Sequence, residues 1–130
     1  RNGNNLTGAQ AMWGWQQLRL MNRQILAIFE EVDVYLSPVM GKLPPEIGFL
    51  GPDQEPRELN KRQGQGFPFT PPFNFTGQPS LSLPLWQSES GLPIGMMFTG
   101  RYADEATLFR LAAQLEKELP WAARKPAVWN

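Results

Sequence analysis

The chain has 130 residues and 14.7 kDa, with twelve basic and twelve acidic side chains and no net charge. That length suits about one domain, and that balance gives no global pull toward nucleic acid or an anionic membrane, nor is there a run of about 18 apolar residues to span a bilayer. Histidine and cysteine are absent, which excludes Ser-His-Asp and Cys-His nucleophiles, Cys/His zinc sites, disulfides and thiol redox chemistry.

Thr7-Gly8-Ala9-Gln10 has the form of a capping box. Apolar side chains follow at Ala11, Trp15, Leu18, Ile25, Ile28 or Phe29, and Val32, a helical spacing interrupted at Asn22. This predicts a helix from Thr7 to Glu31, long for so short a chain. Asp33 to Ser37 reads as a short strand, stopped by Pro38. Eleven of the thirteen prolines and nine of the twelve glycines lie between Pro38 and Gly100, so turns crowd the middle of the chain. Residues 40–66 read as a long loop, with no more than a helical turn at Arg57 to Gln63.

Pro79 to Leu85 alternates small polar with apolar residues, and Leu92 to Thr99 is a second extended apolar run. Gln87-Ser88-Glu89-Ser90-Gly91 between them has the composition of a hairpin loop, which predicts two neighbouring strands. Asp104 is a helix N-cap with Glu105 in the first turn. Leu108, Leu111 or Ala112, Leu115 and Leu119 then line one face of a closing helix that ends at Pro120.

With these residue types, catalysis would need a serine beside a lysine of lowered pKa. The four lysines, Lys42, Lys61, Lys117 and Lys125, all lie in polar surroundings of the sequence. Neither close serine pair, Ser80/Ser82 or Ser88/Ser90, stands in a glycine-rich loop or near one of those lysines in sequence. Gly64-Gln65-Gly66 lacks the lysine and preceding strand of a phosphate loop. Pro68-Phe69-Thr70-Pro71 has the spacing of a polyproline ligand, which a proline-rich chain produces by chance. On residue chemistry alone no catalytic, cofactor-binding or metal-binding residue is assigned.

One segment carries more. Phe69-Thr70-Pro71-Pro72-Phe73-Asn74-Phe75-Thr76-Gly77-Gln78-Pro79-Ser80-Leu81-Ser82-Leu83-Pro84 is followed by Gly91-Leu92-Pro93-Ile94-Gly95 and Gly100. It closely resembles the C-terminal hallmark of the amidase signature family, F-(S/T)-x-x-x-N-x-T-G-x-P-(A/S)-x-S-x-P and then G-L-P-x-G-x-x-x-x-G. Asp33 to Pro38 resembles the family's aspartate–aliphatic–proline strand, and the similarity runs from about Ala11 to Asn130.

The resemblance implies an α/β fold, a twisted mixed sheet flanked by helices, to which this chain gives a long N-terminal helix, three strands and a C-terminal helix. It implies a serine hydrolase that cleaves a carboxylic amide to an acid and ammonia or amine, using a Ser–cis-Ser–Lys triad and no cofactor. The triad lysine and the G-G-S-S-G-G motif belong to the N-terminal part of the family's chain, and neither is found in these 130 residues. Residues 1–130 are therefore expected to be the C-terminal portion of an amidase domain, inactive alone, which completes the sheet and one pocket wall. The alternative is a non-catalytic structural or assembly module derived from an amidase.

Phe67, Asn74 and Thr76 are the residues expected to face the substrate. Asn74 is also expected, as a buried or semi-buried amide, to tie two loops by backbone hydrogen bonds. Phe67 occupies a position where the family's glutamine-using branch has an acidic residue, which favours an aryl or aliphatic amide. Expected partners are the remaining amidase portion or a second copy of the chain, and a small amide in the whole enzyme. Neither nucleic acid nor membrane is expected, and the expected location is cytoplasmic.

Overall fold

The computed structural model describes residues 5–126. Four α-helices and a three-stranded sheet lie among them, in the order α1 (Gly8–Ala27), β1 (Val34–Pro38), α2 (Pro56–Gly66), α3 (Pro71–Thr76), β2 (Ser80–Gln87), β3 (Pro93–Gly100) and α4 (Glu105–Glu118). No helix among the described residues is long and apolar enough to cross a membrane.

The capping box forms as the sequence predicts. Thr7 Oγ1 accepts from the Gln10 amide at 3.2 Å, and Gln10 Oε1 accepts from the Thr7 amide at 2.9 Å. Helix α1 ends at Ala27, earlier than expected, and a single 3-10 turn, Ile28–Glu30, rotates Phe29 into the core. Asn22 interrupts the apolar stripe for a reason: its Nδ2 donates to the Phe75 carbonyl at 2.9 Å and ties α1 to the end of α3.

The 40–66 stretch is not one loop, because α2 occupies Pro56–Gly66. Pro56 sits in its first turn, where a missing N–H costs nothing, and Glu55 Oε2 accepts from the amides of Arg57 and Glu58 at 3.0 Å each. Arg62 then fastens the preceding loop. It pairs with Glu58 at 3.2 Å, donates to the Phe49 carbonyl and to Gln54 Oε1, and lies 4.5 Å from the Phe49 ring centroid. The stretch with polyproline spacing folds into the turn before α3, with Phe69 packed against the core.

The sheet order is β1-β3-β2, and both pairings are antiparallel, so the described residues form an antiparallel portion of a sheet. β2 and β3 form the predicted hairpin, closed by Gly91 at φ +80° and by Ser88, whose Oγ accepts from the Leu92 amide at 3.0 Å. A register shift between Leu83 and Trp86 takes Pro84 out of the ladder on an outer strand, where its missing donor is tolerated.

Successive residues of the central strand face opposite sides. Met97 meets Phe29 and Phe73 on one side, with Ile25, Tyr35, Val39 and Phe69 around them. Phe98 meets Leu83 and Leu108 on the other, with Leu111, Ala112, Leu115 and Trp121. The two cores are therefore made by α1, its 3-10 turn and α3 on one face and by α4 on the other. Arg101 links the layers: its Nε donates to the Phe29 carbonyl at 3.0 Å and its Nη2 pairs with Asp33 at 3.1 Å.

Candidate functional site

The turn from α3 into β2 is built around Gln78. Gly77 closes α3 in the left-handed conformation at φ +75°, and its amide donates to the Phe73 carbonyl at 2.9 Å. This directs Gln78 inward, where it is buried. Its Nε2 donates to the Gly100 carbonyl at 2.9 Å, and its Oε1 accepts from the Thr76 hydroxyl at 3.0 Å. One residue pair further on, Ser80 Oγ and the fully buried Thr99 Oγ1 are hydrogen-bonded at 2.8 Å. The turn is thus locked to the C-terminal end of β3.

The bracing amide of this region is Gln78, and not Asn74 as expected from the sequence. Asn74 is exposed on α3, because a short helix that turns Phe73 into the core turns its next residue outward. Thr76 is half-buried and engaged with Gln78. Phe67 is half-buried and lines a crevice of about 40 Å³ behind the loop after β1, together with Met40, Leu43 and Phe49. That crevice includes neither Asn74 nor Thr76, so the described residues do not bring the three together.

A larger opening lies beside it. Val39 donates to the Gly95 carbonyl at 3.0 Å and Gly41 donates to the Gly66 carbonyl at 2.9 Å, which pins the strap after β1 to β3 and to the end of α2. Between strap and sheet is a cleft of about 400 Å³, with walls that include Val39, Met40, Leu43 and Ile94. Ser82 and Lys42, forty residues apart in sequence, both line it. Lys42 Nζ donates to Gln65 Oε1 at 3.0 Å rather than to Ser82.

Residues 2–109 match the family model described as Amidase. The chain belongs to the amidase family. It is 42% identical over 106 residues to a putative amidase, AmiC, of Mycobacterium leprae, covering 82% of this chain and 22% of that protein. It is also 42% identical over 104 residues to a 6-aminohexanoate-cyclic-dimer hydrolase of Paenarthrobacter ureafaciens, covering 75% of this chain and 21% of that protein. The chain thus spans about a fifth of the length of these curated relatives.

Among solved structures, that of a 6-aminohexanoate cyclic dimer hydrolase superposes with a TM-score of 0.86 at 36% identity, over 98% of this chain and 28% of the other. A crystal structure of an amidase shares the fold, with a TM-score of 0.71 at 24% identity over 91% of this chain and 27% of the other. The hallmark identified in the sequence, Phe69 to Pro84, therefore corresponds in this amidase segment to α3, the Gly77 turn and the first half of β2.

Proposed function

We propose that this chain is the C-terminal part of an amidase that hydrolyses the carboxylic amide of an apolar acid, and that it acts with an amidase portion bearing the Ser-Ser-Lys triad. The observation that carries this reading is the match over 98% of the chain to a hydrolase of a cyclic amide, at 36% identity and a TM-score of 0.86. The chain's share of the work is structural and recognitional. It supplies three strands, the α3–β2 turn held by Gln78, and residues toward the substrate from two separate places, Phe67 beside the strap and Asn74 and Thr76 on α3. Nucleophile, base and oxyanion donors come from the other portion, which acts in the cytoplasm with this one.

Phe67 contributes through the strap, with whose Met40 and Leu43 it shares a crevice of about 40 Å³. The test is ammonia release from a panel of aryl and aliphatic amides. The 130-residue chain alone is expected to show no turnover, and the whole amidase containing it is expected to hydrolyse apolar amides. Turnover by the chain alone that is abolished by Ser82→Ala, with Lys42 in the same cleft, would overturn the reading and place a nucleophile on β2.

A further inference from the structure

Close backbone approaches bound the cleft under the strap. Gly95 forms part of its floor, and a Cβ there would stand 2.8 Å from Ser82 Oγ and 3.0 Å from Val39 Cγ2. Gly41 holds the strap close to α2, since a Cβ there would stand 2.6 Å from the Gln65 carbonyl. The missing side chains let β3 approach β2 and the strap, and let the strap approach α2, more closely than a Cβ would allow. The volume of about 400 Å³ falls in the range of small-molecule sites.

The lining also has the composition of such a site, an aliphatic wall with few polar groups. Val39, Met40, Leu43 and Ile94 give the wall. The Ser82 hydroxyl has no protein partner among the described residues, so it is free to orient a polar group of a ligand. Lys42 uses one of its three N–H donors on Gln65 and is the charged residue of the lining. A lone ammonium at the rim admits neutral and anionic ligands and disfavours cationic ones.

We propose that this cleft receives the aliphatic acyl group of a neutral or anionic amide, with Ser82 and Lys42 at its polar rim. The proposal rests on the amidase reading and moves acyl selectivity from Phe67, whose crevice is too small for a ligand, to the strap and β3.

The test uses the whole amidase containing this chain, with acetamide, butanamide and hexanamide as substrates. Each buried methylene should raise kcat/KM by about fourfold, the equivalent of about 0.8 kcal/mol. Ser82→Phe places a ring in the cleft from a strand position, and the hexanamide-to-acetamide ratio should fall about tenfold or more. Ile94→Ala enlarges the cleft and should move the preferred chain length upward. 6-Aminohexanamide, with an ammonium at the chain end, should gain nothing over acetamide.

The same protein carrying ¹³C-methyl methionine, with Met40 assigned through Met40→Leu, reads binding of hexanamide without any turnover. A saturable shift of the Met40 signal, lost in Ser82→Phe, supports the cleft even if no amide is hydrolysed, in which case the amidase reading fails by itself. An unmoved Met40 signal, or an unchanged chain-length preference in both variants, overturns the proposal.

Discussion

Helices α1 and α4 start in the same way and end up in opposite situations. Both have a capping side chain, Thr7 for α1 and Asp104 for α4, and both carry an apolar stripe. Helix α4 lays its stripe on the sheet and buries Leu108 to 3% exposure. Helix α1, with twenty residues and a length of about 30 Å, has no buried residue, and Met12, Trp13, Trp15 and Leu20 are all more than half exposed. Only its C-terminal part engages the rest, through Ile25 and Asn22. A cap and a period are enough to start a helix. What covers the stripe is a separate matter, and for α1 the cover is not within the described residues.

The sheet shows the same incompleteness. β1 and β2 are outer strands, each with one edge unpaired among the described residues. Leu36 is about half exposed on β1, while Ser80 and Ser82 are exposed on β2. Exposed strand edges and apolar patches of this kind favour association.

Several substitutions sharpen the contrast. The largest effect is expected at the well-covered helix, where Leu108→Ala should cost about 2–5 kcal/mol through lost burial and a cavity. Thermal denaturation at fixed protein concentration reads this, and Trp13→Ala on α1 should move the same midpoint far less. A change below about 1 kcal/mol at Leu108 would show that α4 is not the anchored helix.

Gln78→Leu comes next. It removes the side-chain donor to the Gly100 carbonyl and the nearer of the two acceptors of the Thr76 hydroxyl, at a cost of about 1–3 kcal/mol, and should raise amide exchange at Gly77 before it does so in α4. Uniform exchange throughout the chain would remove Gln78 from its role in the turn. Ala103→Gly should stabilise, because Ala103 sits at φ +59° in the turn before α4, a conformation costing an L-residue about 1–2 kcal/mol. The loss of unfolded-state freedom at Ala is given up in return, so the net gain in urea midpoint is smaller than that figure.

The smallest effect is a pH dependence. The Thr107 hydroxyl donates to Asp104 Oδ2 at 2.7 Å and holds the carboxyl below the usual carboxylate range. Because the folded pKa is the lower one, the stabilisation is full above the unfolded value and fades as pH falls toward the folded value. Asp104→Asn should remove this acid-side dependence from α4 while keeping the cap. An acid limb that persists unchanged would assign it to another carboxylate.

The parts of the fold that were legible in the sequence are those with a period or a paired signal. The capping box, the β2–β3 hairpin and α4 all have one, and they lie within a residue or two of where the sequence places them. Helix α2 has none, because it buries no residue and therefore needs no apolar repeat. Its mark is the Glu55-Pro56 start, which reads equally well as loop. Helix α3 is hidden by Pro71 and Pro72, which suit a helix's first turn as well as an extended segment. Gln78 and Asn74 are two amides four residues apart; the place of Asn74 next to Phe73 on α3 turns it outward, and the left-handed Gly77 directs Gln78 inward. The Lys42–Ser82 cleft depends on β1 pairing with β3 and β3 with β2, a relation that no local pattern encodes.

This amidase segment needs cover from outside itself, and sedimentation equilibrium of the 130-residue chain at micromolar concentration reads that need. Association or aggregation is expected, reduced when Trp13 and Trp15 are both replaced by serine. A monodisperse monomer with a single sharp thermal transition would contradict it and make the segment an autonomous domain.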